Sequence, residues 1–278
     1  YSPHRERRHG NSPRLLRGDQ LVVCAQNHDQ VGNRARGERL TALVPFERLK
    51  LAAGVALLAP FLPLLFMGEE YGEPHPFLYF TSHGDPGLVE AVRRGRRAEF
   101  AAFAWQGEVP DPQDAATFAA SKLQHELAAH GQHRVLREFY RALLRLRRAV
   151  PALATLDKDL VDAQVLTPAD VLWVRRRTSP SLACFHGAGG RGVGWGLAEA
   201  GEGAGGAEAC IIFCFEQAPR AVDLPLPAGR WAKRLDAAEA RWLGPGSALP
   251  ETVEASGPTR VTLSPGTVAV YTRSSDEG

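Results

Sequence analysis

Three neighbouring polar residues, Asn27, His28 and Asp29, end an apolar run that begins at Leu21. An amide, an imidazole and a carboxylate in succession can hydrogen-bond to one ligand, and the carboxylate can stabilise positive charge that develops on it. In a parallel barrel such side chains converge, because catalytic groups lie at the C-terminal ends of the strands. Asn and Asp also bond nearby backbone groups in ordinary turns. The tripeptide therefore predicts either a catalytic rim or a capping turn.

A second apolar segment, residues 51–67, contains no charged residue. Its length approaches that of a membrane span, but Pro60 and Pro63 would break a spanning helix, and no basic flank accompanies it. We therefore expect no membrane contact. The segment instead predicts a buried helix over residues 46–59 and a short strand over residues 63–67, covered on both faces as parallel strands in α/β proteins are.

Two glutamates, Glu69 and Glu70, follow that strand. Adjacent side chains at the end of a strand point in opposite directions, so at most one of them is expected to face a cleft. The other is predicted to form a structural ion pair with an arginine such as Arg34 or Arg39.

The two strand ends carry extended motifs, QNHDQVGNR at residues 26–34 and FMGEEYGE at residues 66–73. These motifs resemble the last two barrel strands of the α-amylase superfamily, glycoside hydrolase family 13. Further motifs are similar to the members of that family that act on maltooligosyl trehalose. They lie at residues 77–80, 85–86, 93–97, 107–114, 117–118 and 121–123.

The resemblance implies an α/β fold, with the last strands and helices of a (β/α)₈ TIM barrel followed by a C-terminal antiparallel β-sandwich. We expect residues 1–150 to be the C-terminal part of a truncated catalytic barrel and residues 151–278 to be an all-β domain. A complete barrel needs roughly 250 residues, and far fewer precede Asp29. The family's nucleophilic aspartate and acid–base glutamate would both lie upstream of Tyr1, so this chain alone is expected to be inactive.

The resemblance also implies roles for the residues of the first motif. Retaining glycosidases pass through a transition state that resembles an oxocarbenium ion. Asp29 would be the catalytic residue that stabilises this transition state through the 2-OH and 3-OH groups of the sugar. His28 would donate to the same hydroxyl groups. The groups that would line the adjoining sugar subsites are Asn27, Gln30 and the backbone of Val31 and Gly32.

Two aromatic residues near these motifs, Tyr71 and Trp105, have two open interpretations. Their rings could stack on the apolar faces of sugars, or they could fill the core as other aromatic side chains do. The sequence does not decide between them.

The function implied by the resemblance is that of a retaining α-glucan hydrolase. It would cleave the α-1,4 bond next to the terminal trehalosyl unit of maltooligosyl trehalose and release trehalose. One alternative is a glucan-branching enzyme of the same superfamily, which transfers to sugar instead of water. Another is a non-catalytic carbohydrate-binding protein. The upstream sequence would separate enzyme from binder, because the enzyme needs the missing carboxylate pair.

The remaining elements follow from periodicity. Residues 133–148 have one apolar and one basic face, which predicts an amphipathic helix that ends at Pro151. The glycine-rich residues 187–206 are expected to be an unpacked loop. For the basic residues 1–19, a loop left by the truncation is favoured over a phosphate-binding arm. Short strands are predicted at residues 160–165, 171–177, 182–185, 210–215, 231–235, 261–263 and 268–271.

The composition excludes several classes of function. The 278 residues include 33 basic and 31 acidic ones, so no global attraction to nucleic acid is expected. The four cysteines have neither a CxxC spacing nor the density of a secreted disulfide scaffold, which predicts reduced thiols and a cytoplasmic location. The histidines have no carboxylate partner at a metal-binding spacing, and no glycine-rich loop opens a helix. Neither a metal nor another cofactor is therefore expected.

Overall fold

The structure is a computed structural model, and it describes residues 2, 5–102, 109–179 and 207–273. The α-helices in these ranges are α1 (His28–Gly32), α2 (Leu40–Leu43), α3 (Phe46–Leu58), α4 (Pro86–Ala102), α5 (Ala115–Ala120), α6 (Gly131–Ala149) and α7 (Pro151–Ala154). The strands are β1 (Val22–Val23), β2 (Leu62–Pro63), β3 (Val161–Val165), β4 (Val171–Arg177), β5 (Glu208–Cys214), β6 (Arg220–Leu224), β7 (Gly229–Asp236), β8 (Thr252–Ala255), β9 (Thr259–Leu263) and β10 (Val268–Arg273). The predicted strand at 182–185 and the predicted loop at 187–206 lie outside the described residues.

The first two strands form a parallel pair, in which Val22 lies opposite Leu62 and Val23 opposite Pro63. Helices α1, α2 and α3 lie between them in the chain, and α3 is the buried helix that the uncharged segment predicted. Because the strands are parallel, their C-terminal ends lie at one edge of the sheet. The residues that follow β1 and β2 therefore leave the sheet on the same side.

The second strand differs from its prediction, which extended it to residue 67 with both faces covered. It ends at Pro63, and Leu64, Leu65 and Met67 are exposed. Within the described residues β1 is the only strand that pairs with β2, so the chain beyond Pro63 has no second neighbour to extend its ladder.

The uncharged segment 51–67 does not form one continuous helix, because α3 ends at Leu58 and β2 follows. In the part of the chain that the structure describes, no helix has both the length and the apolar character needed to cross a membrane.

The C-terminal part contains a six-stranded antiparallel sheet with the order β3-β4-β5-β10-β7-β8. Strands β6 and β9 form a separate antiparallel pair. The predicted antiparallel β structure in this part is therefore confirmed. Strands β6 and β8 were not predicted, because each is short and buries only two side chains, Val222 and Leu224 in β6 and Val253 and Ala255 in β8.

The six-stranded sheet buries both faces, and successive residues of β5 pack on opposite sides. Ile211 contacts an apolar cluster that contains Leu57 of α3 and Phe139 of α6, whereas Ile212 faces the cluster shared with β6 and β9. This alternation is the two-residue period of a strand. One continuous apolar cluster thus joins residues on both sides of the predicted boundary at Pro151.

Helix α3 lies close to the sheet and is tied to it by polar contacts. A Cβ atom added at Gly54 would lie 2.9 Å from Cγ1 of Val268, so a glycine is needed for this close approach. The fully buried Lys50 donates from Nζ to the carbonyls of Ala237 and Trp242 at 2.7 and 2.9 Å. These bonds fix the helix along the sheet.

Two arginines bind the carbonyls at the C-terminal end of α3. Arg147 of α6 donates to the carbonyls of Leu57 and Ala59, and Arg176 of β4 donates to that of Leu58. Cations at this end of a helix interact favourably with its dipole. Burial, aided by the neighbouring Arg147, lowers the pKa of Arg176 to about 10.

Candidate active-site rim

Asn27 is the N-cap of α1. Its backbone is extended, with φ −147° and ψ 178°, and its Oδ1 accepts a hydrogen bond from the amide of Gln30 at 2.9 Å. Its carbonyl accepts from the amide of Val31 at 3.0 Å. These bonds satisfy amides that the first turn of a helix otherwise leaves without partners. The capping turn that the sequence allowed is therefore present, and Asn27 forms it.

His28 and Asp29 begin α1 and face outward, with 70% and 74% of their side chains exposed. His28 Nε2 lies 3.4 Å from Asp29 Oδ1. An exposed pair of this kind contributes little energy, on the order of 1 kcal/mol at most. Because Asn27 already caps the helix, the Asp29 carboxylate is available to accept hydrogen bonds from a ligand. A cap and a catalytic rim can therefore coexist in this tripeptide.

The other predicted subsite residues differ in position. Gln30 is exposed, as are His28 and Asp29. Val31 is only 2% exposed and Gly32 is buried, and the Gly32 carbonyl accepts from Nη2 of Arg96 at 3.0 Å. The Val31 side chain is thus part of the core. Only the backbone of these two residues remains for the predicted contact, and both of its carbonyls already have partners, because the Val31 carbonyl accepts from the amide of Arg34 at 3.1 Å.

Glu69 opens the 3₁₀ turn Glu69–Tyr71, which follows Gly68 in the left-handed conformation at φ +84°. The side chain points inward, with the residue 5% exposed, and Oε1 accepts from the Tyr140 hydroxyl at 3.3 Å. Burial raises the pKa of Glu69 to about 7, against the opposing effects of Tyr140 and Gln26. Glu69 is therefore a buried acid that titrates near neutral pH.

The predicted ion pair between one of the two glutamates and Arg34 or Arg39 is wrong for the described residues. Arg34 instead bonds to Glu38, with Nε 3.2 Å from Oε2. Arg39 is 1% exposed and donates to two backbone carbonyls at 2.6 and 2.7 Å. The physical reason is that Glu69 and Glu70 lie in a 3₁₀ turn, where side chains do not alternate between two faces as they do in a strand. Glu69 turns into the core, and Glu70 is half-buried.

A second buried carboxylate, Glu73, was missed by the sequence reasoning. It accepts from the Tyr71 hydroxyl at 2.8 Å and from the backbone amides of His75 and Gln124 at 2.9 and 2.7 Å. Burial alone would raise the pKa of Glu73, but these hydrogen bonds outweigh it and lower the pKa. The local signal is the turn formed by residues 72–75, in which the carboxylate can bind the amide of His75. The bond from Gln124 comes from 51 positions away, so it leaves no local signal.

Of the two aromatic residues with open interpretations, Tyr71 is decided by the structure. It is 2% exposed, so its ring fills the core and is not accessible to a sugar. Trp105 lies outside the described residues. Among residues 2, 5–102, 109–179 and 207–273, no group of three His, Cys, Asp or Glu side chains is arranged to hold a metal ion.

No family model matches the chain, but curated relatives do. The chain is 47% identical over 178 residues to the malto-oligosyltrehalose trehalohydrolase of Rhizobium sp. (strain M-11), which covers 63% of this chain and 30% of the relative. It is 50% identical over 156 residues to the enzyme of the same name from Arthrobacter ramosus, and the match covers 54% of this chain and 27% of that relative. It is 45% identical over 148 residues to the enzyme of the same name from Saccharolobus solfataricus, and the match covers 53% of this chain and 24% of that relative. The chain thus spans 30% or less of the length of these relatives.

Solved structures of α-amylases are also similar. A 1.4 Å crystal structure of an assigned α-amylase from Salmonella typhimurium matches 93% of this chain, with a TM-score of 0.65 and 30% identity over 36% of that protein. The structure of the α-amylase from H. orenii matches 91% of this chain over 40% of its own length, with a TM-score of 0.51. Its 15% identity supports the fold alone. The resemblance predicted from the motifs is therefore confirmed, and the fold is α-amylase-like.

Proposed function

We propose that this chain is part of a glycoside hydrolase that cleaves the α-1,4 bond next to the terminal trehalosyl unit of maltooligosyl trehalose and releases trehalose. The observation that carries the proposal is the name shared by the curated relatives, which are 39–50% identical to this chain. Residues 1–150 would form the end of the (β/α)₈ barrel, with β1 and β2 as its last strands, and residues 151–278 the β domain that follows.

Asp29 is proposed to stabilise the transition state. As the glycosidic bond breaks, positive charge develops at the anomeric carbon and the sugar ring flattens. A carboxylate that accepts hydrogen bonds from the 2-OH and 3-OH groups holds the ring in that shape, and its negative charge becomes more favourable as the positive charge grows. Two features support the assignment to Asp29: its side chain is 74% exposed, and it is not used to cap α1.

The neighbouring residues would complete the binding rim. His28 would donate to the same hydroxyl groups, and its Nε2 already lies 3.4 Å from the Asp29 carboxylate. Gln30 is exposed and would contact an adjoining sugar. Asn27 would contribute mainly by capping the helix, while the buried Val31 and Gly32 could offer only backbone atoms.

The nucleophile and the acid–base group are proposed to come from a part of the longer protein outside this chain. Glu69 has a pKa of about 7, which would suit a general acid at neutral pH. Its carboxyl is buried against Tyr140, however, and a general acid must come within hydrogen-bonding reach of the bond it protonates. We therefore propose that Glu69 has a structural role and that the chain alone has no hydrolase activity.

The experiment compares this chain with the product of the complete reading frame that contains it. Both proteins are incubated with maltooligosyl trehalose, and free trehalose is measured. The complete protein should release trehalose and the chain alone should not. Transfer of glucan to another glucan without trehalose release would favour a branching enzyme, and glucan binding without turnover by the complete protein would favour a binding protein.

The role of Asp29 is tested in the complete protein by Asp29→Asn. A residue that acts mainly on the transition state should lower kcat by roughly two to three orders of magnitude and change KM by only a few fold. Asp223→Asn removes an exposed carboxylate from β6 and serves as the matched control, with kcat expected to stay unchanged. If Asp29→Asn weakens binding and leaves kcat intact, Asp29 is only a subsite ligand.

A further inference from the structure

Helix α1, which carries His28 and Asp29, has five residues and cannot hold its own orientation. A helix this short is unstable in isolation, because each end leaves backbone groups without partners. Asn27 satisfies the N-terminal end through its bond to Gln30. At the C-terminal end the amides of Asn33 and Arg34 donate to the carbonyls of Asp29 and Val31, at 3.1 Å each, so it is the carbonyl of Gly32 that is bound by a contact from elsewhere in the fold.

That contact comes from Arg96 on α4. Its Nη2 donates to the carbonyl of Gly32, the last residue of α1, at 3.0 Å. Gly32 and Arg96 are 64 positions apart in the chain. The bond therefore joins α1 to a helix that is distant in sequence, and a guanidinium group at a helix C-terminus is also favoured by the helix dipole.

Arg96 is itself held in place. The residue is 9% exposed, Nη1 donates to Glu99 Oε2 at 2.9 Å, and the guanidinium carbon lies 4.6 Å from the centre of the Tyr79 ring. A planar guanidinium can stack on a ring and donate in its own plane at the same time. A lysine could do only one of these, so the identity of the residue matters.

We infer that Arg96 is a positioning residue for the proposed reaction: through Gly32 it fixes α1, and so determines where His28 and Asp29 present their side chains. This inference rests on the proposed function. A displacement of about 1 Å in a catalytic group can lower a rate about a hundredfold. Loss of the Arg96 contact should therefore act on kcat although Arg96 itself is only 9% exposed.

The next arginine on α4 provides a matched control. Arg97 has 65% of its side chain exposed and bonds to Glu90 on its own helix, at 3.4 Å. Arg97→Ala removes the same charge and side chain from the neighbouring position without touching α1. In the complete protein, Arg96→Ala should lower kcat about 10- to 100-fold and change KM less than about threefold, while Arg97→Ala should change neither by more than about twofold. Arg96→Lys should recover part of the lost activity.

A double-mutant cycle distinguishes positioning from general damage to the fold. If Arg96 acts through Asp29, Arg96→Ala should lower kcat much less in the Asp29→Asn background than in the parent, because the group it positions is already disabled. Equal effects in both backgrounds would overturn the inference. If Asp29→Asn lowers kcat as expected but Arg96→Ala keeps full activity, the role of Arg96 is overturned and the proposed function stays intact.

A measurement that needs no activity separates the two hypotheses further. Hydrogen exchange followed by mass spectrometry reports the opening of a segment directly. Exchange at residues 28–33 should be faster in Arg96→Ala than in the parent protein, and unchanged in Arg97→Ala. Unchanged exchange in Arg96→Ala would refute the positioning role even if the enzyme had a different substrate. If exchange is faster in Arg96→Ala but the complete parent protein releases no trehalose, the contact between Arg96 and α1 is supported and the proposed function is rejected.

Discussion

Replacing Glu69 by glutamine should stabilise the protein at neutral pH and leave its stability in acid nearly unchanged. Burial raises the pKa of Glu69 from 4.5 to about 7. Between these two values the folded protein keeps a proton on this carboxyl that the unfolded chain has lost, so the free energy of unfolding falls as the pH rises. At about 1.4 kcal/mol per pH unit, this interval corresponds to about 3 kcal/mol. Glutamine stays neutral at every pH and can still accept the hydrogen bond from Tyr140.

The assay is urea unfolding of the parent chain and Glu69→Gln at several pH values from about 4.5 to 8. Other titrating groups are common to both proteins, so they cancel in the difference between the two free energies of unfolding. That difference should increase in favour of Glu69→Gln by about 3 kcal/mol up to pH 7 and then level off.

The matched control for this experiment is Glu70→Gln. It removes a carboxyl from the same 3₁₀ turn, but one that is only half-buried. It controls for the loss of one negative charge at this place. If the difference between the parent and Glu69→Gln is constant across the pH range, Glu69 titrates as it would in the unfolded chain, and the reasoning from burial is refuted.

Four other outcomes are expected. In the complete protein, His28→Ala should lower kcat by less than Asp29→Asn, because it removes one hydrogen-bond donor and not the stabilising charge; steady-state kinetics on maltooligosyl trehalose checks this. Gly54→Ala should destabilise the chain by about 1–3 kcal/mol, since the added methyl group overpacks α3 against the sheet; thermal unfolding measures it. Phe139→Ala should lower the free energy of unfolding by about 3–5 kcal/mol, and the helices and the sheet should still unfold in one transition. Circular dichroism and limited proteolysis check this, and separate unfolding of the helices and the sheet would contradict a shared core. Burial raises the pKa of Cys210 to about 12, so alkylation followed by mass spectrometry should find this thiol unmodified until the protein unfolds, whereas the half-buried Cys24 should react in the folded protein.

Elements with a strong periodic pattern could be predicted from the sequence. The amphipathic residues 133–148 correspond to α6, which extends over Gly131–Ala149, and the strand predicted at 171–177 is β4. Both segments are long enough for their period to be clear, and their buried faces determine their type. Strand β6 was missed because only two of its five side chains are buried, so its alternation is too short to recognise.

Burial of the polar residues could not be predicted, because it depends on contacts between distant parts of the chain. Glu69 bonds to Tyr140, which is 71 positions away, and Gly32 bonds to Arg96, 64 positions away. Glutamate and arginine are usually exposed, so the local pattern favours the wrong environment for Glu69 and Arg96. At the candidate site, the sequence suggested the correct cap and the exposed acid, but not the contact from α4 that holds them.

The buried acid and the exposed acid are linked through Gln26, whose side chain lowers the pKa of Glu69 and which immediately precedes the cap residue Asn27. Loss of the proton from Glu69 near pH 7 would place a buried negative charge beside the strand end that carries α1. A fall in activity of the complete protein above neutral pH could therefore reflect movement of the rim and not titration of a catalytic group. Glu69→Gln separates the two causes. If the fall disappears in this variant while the acidic side of the profile is unchanged, it originates from the buried carboxyl; if the profile is unaffected, the titrating group belongs to the catalytic machinery itself.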